Sequence, residues 1–235
     1  MSTETPAISH EHADVTGGWL RPAVFGAMDG LVSNFALIAG VAGGGAPRQV
    51  VILAGLAGLS AGAFSMAAGE YTSVASQAEN AEAEIAKERE ELRNNPEGEM
   101  AELAAMYVER GVDPELAEEV SRQIHRDPEN AVNVHAREEL GVTLEDLPSP
   151  VLAAVSSFFS FAIGAIIPLM PYLLGSDALL PGIVVSLVGL FAAGALVTRF
   201  TSRPWWFGGL RQLFLGAIAA ALTYGIGNLV GAGLG

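Results

Sequence analysis

The sequence predicts an all-α integral membrane protein, with five membrane-crossing helices and a polar helical domain inserted between the second and the third. Three observations predict this. Of the 235 residues, 51% are hydrophobic and only 16% are charged, against about 25% charged in an ordinary soluble domain. The apolar residues gather into five runs of roughly 20 residues, the length that crosses a bilayer core. The charge is confined: between Glu79 and Asp146 stand 20 acidic and 7 basic residues, a net of −13 within a chain total of −14. A uniformly acidic soluble protein would not leave its flanks almost free of charge.

The same composition narrows the function classes. A net charge of −14 argues against nucleic acid as a partner. There is no cysteine, so neither a disulfide framework nor a thiolate metal site is available. The first 18 residues are polar and acidic, unlike a secretory signal. Residues 1–20 are expected to be a disordered N-terminus.

The elements follow in order. The spans are read at about 22–44, 50–71, 151–174, 179–198 and 207–230, separated by the short breaks "GGAPRQ", "GSDA" and "TRFTSRPWW". Pro22 suits a first helical turn. Trp205 and Trp206 beside Pro204 suit a membrane-interface anchor. With the N-terminus inside, Arg21, Arg199, Arg203 and Arg211 fall on the cytoplasmic side and only Arg48 outside. The positive-inside rule therefore predicts N-terminus in, C-terminus out, and a cytoplasmic acidic domain. In the second span, Gly55, Gly58, Gly62 and Ala63 leave little side chain on the helix and are expected to mark a helix–helix interface.

The acidic domain reads as helices with clear punctuation. From Glu70 to Asn95 there is no glycine or proline, so the second span can continue as one long helix. Asn95-Pro96, Asp113-Pro114 and Asp127-Pro128 each pair an N-cap residue with a first-turn proline. Gly111 and Gly141 stop two of the helices. "LPSP" at 147–150 leads into the third span. The division is thus 1–20 as N-terminus, 21–72 as the first two spans, 73–147 as the acidic domain and 148–235 as the last three spans.

Two sets of residues stand out chemically. Asp29 lies seven residues past Pro22, about 10 Å into the first span by helical rise. A carboxylate there snorkels to the interface, caps a neighbouring helix, or serves a function. Met66 lies at comparable depth in the second span; it is either packing or the softer half of a metal relay with Asp29. Glu70 lies one turn nearer the cytoplasm on the same face and could be the first ligand inward. In the acidic domain, Glu84, Glu88 and Glu91 line one helix face, and Glu88 borders the apolar stripe Val74, Ala78, Ala81, Ile85 and Leu92. Glu99 and Glu102 are spaced by three, with Glu99 between Leu103 and Met106 on the helical wheel. His135, Glu138 and Glu139 repeat the arrangement on the last helix. Like charges at such spacing weaken a helix by a few tenths of a kcal/mol per pair. The faces are either solvated or neutralised by a divalent cation, and carboxylate with imidazole suits Fe²⁺, Mn²⁺ or Zn²⁺. His10 and His12 in "SHEH" either assist capture or simply belong to the N-terminal tail.

"MDGLVSNFALIAGVAG", "GLAGLSAGAFSMAAGEY", "PSPVLAAVSSFFSFAIGAIIPLMPYLL" and "LTYGIGNLVG" together resemble the vacuolar iron transporter family of plants and fungi, with bacterial relatives, from about residue 20 to the end. The resemblance implies a homodimer with five membrane helices per subunit and a cytoplasmic helical metal-binding domain. It implies export of Fe²⁺, and often Mn²⁺, from the cytosol in exchange for protons, here across a bacterial inner membrane. It matches Asp29 and Met66 to the transport path at the dimer interface. It matches Glu88 with Glu91, Glu99 with Glu102, and Glu139 to the cytoplasmic carboxylates. Two departures stand out. Gly58 replaces a glutamate of the plant members, which bears on proton coupling. His135 and Ala136 replace methionines, a harder ligand set that bears on the choice among Fe²⁺, Mn²⁺ and Zn²⁺. Two rivals are a membrane-anchored module that buffers or senses metal, and a membrane-bound ferroxidase. The latter typically uses Glu-x-x-His pairs, but Arg122 and Val132 stand three residues before His125 and His135.

Overall fold

The computed structural model describes residues 18–142, 147–200 and 203–234. His10 and His12 lie outside them. The described chain forms eight α-helices: α1 (Leu20–Gly43), α2 (Arg48–Asn94), α3 (Pro96–Glu109), α4 (Pro114–Ile124), α5 (Pro128–Glu139), α6 (Pro150–Leu173), α7 (Leu179–Val197) and α8 (Trp205–Leu234). A 3₁₀ turn, Thr198–Phe200, follows α7. Among the described residues there is no strand. Helices α1, α2, α6, α7 and α8 are each long and apolar enough to cross a membrane. Helix α2 runs unbroken for 47 residues, about 70 Å at 1.5 Å per residue, because nothing in it interrupts the hydrogen-bond ladder.

The chain divides into two compact units. One contains the residues up to Glu70 together with Val151–Gly235; the other is Tyr71–Pro150. In the apolar unit, helices approach backbone to backbone where glycines face each other. A Cβ on Gly30 would strike the Phe161 carbonyl, and one on Gly164 would strike that of Ala27, so α1 and α6 tolerate no side chain at this crossing. Between α8 and α1, a Cβ on Gly227 would likewise strike the Gly40 carbonyl. The α2 glycines singled out from the sequence are different. Gly55, Gly58 and Gly62 face the side chains of Leu169, Leu37 and Phe161, so within the chain they admit side chains rather than bring backbones together. Polar ties cross the bundle: Asn34 Nδ2 donates to the Ala165 carbonyl at 2.6 Å, Thr223 Oγ1 to that of Ala36 at 2.7 Å, and Arg48 Nε to that of Tyr172 at 2.8 Å.

The polar unit is built on its caps. The side chain of Asn95 accepts from the Gly98 amide, that of Asp113 from Glu115, and that of Asp127 from Glu129 and Asn130. Each is followed by a proline whose absent N–H would have gone unused in the first turn. Gly111 and Gly141 sit just past α3 and α5 with φ of +92° and +67°, the left-handed conformation that ends a helix at least cost to glycine. The α2 stripe faces inward at Val74 and Ile85, and Ile85 packs with Val132 and Ala136 of α5. Ser121 Oγ of α4 donates to the Met100 carbonyl of α3 at 2.6 Å.

Candidate functional site

Packing Ile85 against Val132 and Ala136 brings neighbouring polar residues of α2 and α5 together. Glu88, one turn after Ile85, His135, beside Ala136, and Glu139 meet Glu99 from the first turn of α3. One ligand atom from each of these four lies within 4.8 Å of the others. A tetrahedral cation with ligands at about 2.0–2.2 Å would hold them about 3.3–3.6 Å apart, so closing on an ion needs shifts of up to about 1 Å. His135 is fully buried and Glu88 is 5% exposed. Glu99 is buried as well and Glu139 is exposed, so this is a largely buried polar cluster with one carboxylate open to solvent, not a solvated acidic face.

Proton counting shows what the cluster lacks. His135 Nδ1 lies 2.8 Å from Glu139 Oε1 and 3.0 Å from Glu88 Oε1. One ring nitrogen carries at most one hydrogen. It pairs with Glu139 at the shorter distance, and Glu88 Oε1, though close, is left buried without a hydrogen-bond partner. On the other side of the ring, Nε2 meets His125 Nε2 at 3.3 Å, and His125 Nδ1 lies 2.8 Å from the Ser121 carbonyl. A carbonyl only accepts, so His125 Nδ1 carries the hydrogen and a neutral His125 accepts from His135 Nε2–H. That relay leaves Nδ1 as the position where a proton and a cation compete. Burial, reinforced by Glu139, Glu99 and Glu91 and opposed by His135, pushes the Glu88 carboxyl up to about 7. Burial likewise raises Glu99, with Glu102 the next cause.

The apolar unit holds a second feature, a cavity of about 340 Å³ lined by Asp29, Ser33, Asn34, Leu37, Gly58, Gly62, Ser65, Met66 and Phe161. It is an open cleft along the apolar helices, with Asp29, Ser33 and Ser65 exposed, and it brings together a carboxylate, an amide, two hydroxyls and a thioether.

The candidates from the sequence are distributed as follows. Glu88, Glu99, His135 and Glu139 converge. Glu138 turns away to pair with Arg110, and Glu91 with Lys87 at 3.9 Å. Glu102 is exposed on α3. Asp29 and Met66 share the cavity; Glu70 is not among its lining residues. Two participants were not anticipated. Asn34 was visible as a polar residue in the apolar run "LVSNFAL". His125 follows α4 and shows no helical periodicity with the acidic residues, so only the tertiary structure places it.

A helical membrane protein with a carboxylate–imidazole cluster suited to a divalent cation is the class these features define. The VIT family model matches residues 20–228. A vacuolar iron transporter of Acanthamoeba castellanii is 43% identical over 232 residues, covering 95% of this chain and 84% of that protein. Vacuolar iron transporter 1 of Oryza sativa subsp. japonica is 33% identical, and that of Arabidopsis thaliana 31%, each alignment covering 94% of this chain and 90% of the relative. The chain belongs to the VIT family, and it is a multi-pass membrane protein.

Proposed function

We propose that the protein is a secondary transporter that moves Fe²⁺, and Mn²⁺ with it, out of the cytosol in exchange for protons. The observation that carries this reading is the cavity of the apolar unit. An anchor has no use for a carboxylate, a thioether and three neutral oxygen donors gathered in one open cleft between helices long and apolar enough to cross a membrane. Relatives named vacuolar iron transporters supply the cargo class. In this reading five helices cross the membrane, the N-terminus and the acidic unit face the cytosol, the C-terminus faces out, and two copies form a dimer. The cluster of Glu88, Glu99, His135 and Glu139 collects the cation, and Asp29 and Met66 pass it on, with proton exchange at Asp29. Glu70 serves as the first ligand of α2 on the way in.

The test is flux of Fe²⁺ and Mn²⁺ into proteoliposomes by the unsubstituted protein and by Asp29→Ala, with and without a pH gradient. Flux that needs Asp29 and accelerates into an acidic lumen is the expected result. Asp29-dependent flux that ignores the gradient removes the proton coupling. Absence of flux with metal still bound overturns transport and favours a module that buffers metal, for which the self-contained cluster of the polar unit would suffice.

A further inference from the structure

Asn34 has one half of its amide committed and the other half unused. The residue is 2% exposed, and its Nδ2 donates to the Ala165 carbonyl of α6 at 2.6 Å. That bond fixes which way the amide points. The reversed amide would set oxygen against oxygen at the same short distance. Oδ1 therefore faces away from α6, where it has no hydrogen-bond partner. A buried carbonyl oxygen without a partner is uncommon in folded proteins and asks for an explanation.

The surroundings supply one. Asn34 lines the same cavity as Asp29 and Met66, and by helical rise it stands about 7.5 Å further along α1 than Asp29. Across from it is Gly58 of α2. A Cβ built on Gly58 would meet Leu37 Cδ2 first and would stand 3.1 Å from Asn34 Oδ1, so the oxygen is buried without a partner against a glycine of α2. An amide oxygen is a hard, neutral donor suited to Mn²⁺ and Fe²⁺. Being neutral, it adds a ligand without adding charge, which suits a station that must release its cation again.

We propose that Asn34 is a second cation-liganding station of the apolar unit, its amide oxygen receiving a divalent cation held in the cavity that Asp29 and Met66 line. The proposal rests on the transport reading above. The test is Mn²⁺ flux by full-length protein in proteoliposomes, resolved into KM and maximal rate. Asn34→Leu keeps the volume and removes the oxygen. It is expected to raise KM roughly tenfold or more, the scale on which metal sites respond to a lost partner, with the maximal rate within about twofold. Asn34→Asp keeps an oxygen and adds charge; it is expected to lower both KM and the maximal rate, because the cation is held longer. A purely structural role would lower the maximal rate in both variants and leave KM alone, and that result overturns the proposal. If Asn34→Leu does not fold, Asn34→Ala decides. It removes the oxygen without adding bulk and should raise KM, and an unchanged KM overturns the proposal. Absence of flux in the unsubstituted protein overturns both readings, whereas flux with a KM indifferent to Asn34 overturns this one alone.

Discussion

The two polar centres solve the same electrostatic problem in opposite ways. The cluster of the polar unit sets three carboxylates and an imidazole around one point. The cavity of the apolar unit sets one carboxylate among neutral donors. Against a divalent ion the first overcompensates the charge and the second undercompensates it. Two buried carboxylates, Glu88 and Glu99, and the exposed Glu139 beside them repel one another until something positive arrives, which favours capture. A single carboxylate with neutral oxygens and a thioether binds less tightly, which favours passage. On the transport reading proposed above, the difference in charge count separates holding from moving, and each centre can be perturbed without touching the other.

The largest effect expected is at the cavity. Asp29→Asn should reduce Mn²⁺ flux by about a hundredfold or more, the scale of losing the one charged group that faces the ion, while metal binding by the cluster persists. Equilibrium dialysis of the same variant checks the second half. Equal loss of binding would mean that the two centres are not separable. Next come the cluster's supports. His125→Phe leaves every ligand in place and removes the acceptor for His135 Nε2–H. Affinity for Mn²⁺ is expected to fall by roughly tenfold, as for other residues that orient a ligand. Glu138→Gln, whose side chain pairs with Arg110, should leave that affinity within about twofold. A large effect there would mean that Glu138 swings inward when metal binds.

The pH dependence is smaller but its sign is determined. The Glu88 carboxyl stands at about 7 in the fold against an ordinary 4.5, chiefly through burial. Above pH 7 the polar unit carries the full cost of a buried charge. As pH falls from 7 toward 4.5 the folded form takes up a proton that the unfolded form lacks, so stability rises over that window and is level below it. Hydrogen-exchange protection of peptides from α2 to α5 in metal-free protein, corrected for intrinsic rates, should therefore increase from pH 7.5 to pH 5.5. Glu88→Gln should flatten the trend, and a trend of the opposite sign would contradict the burial of Glu88. The smallest effect is at a cap. Asp127→Ala removes an acceptor for two amides of α5 and should lower the stability of that helix by about 1 kcal/mol, measured by the same exchange experiment.

Much of the secondary structure was legible in the residues. The starts of α3, α4 and α5 follow from Asx-Pro pairs, and the ends of α3 and α5 from Gly111 and Gly141, because capping acts within three or four residues of the chain. The unbroken α2 follows from the absence of glycine and proline after Glu70. The span boundaries read from hydropathy lie within a few residues of the helix ends for α1, α6, α7 and α8, since apolar length is itself a local property, whereas α2 continues past its span to Asn94.

Convergence was not local. Glu88 and Glu91 differ by about 60° around the helix and by about one turn along it, and nothing in the run "KEREE" says which of them faces inward. The docking of Ile85 onto Val132 and Ala136 makes that choice, and it leaves Glu91 beside Lys87. Glu138 and Glu139 are adjacent, yet one meets Arg110 and the other His135. The sequence by itself determined the helices, their ends, the confinement of charge and the presence of acids and imidazoles at metal-ligand spacing, because each depends on neighbours a few residues apart. Only the tertiary structure decided which four side chains share a centre, that His125 backs His135, and that the oxygen of Asn34 faces a glycine. Those outcomes depend on the rotation of one helix against another, which packing sets across tens to more than a hundred residues of chain.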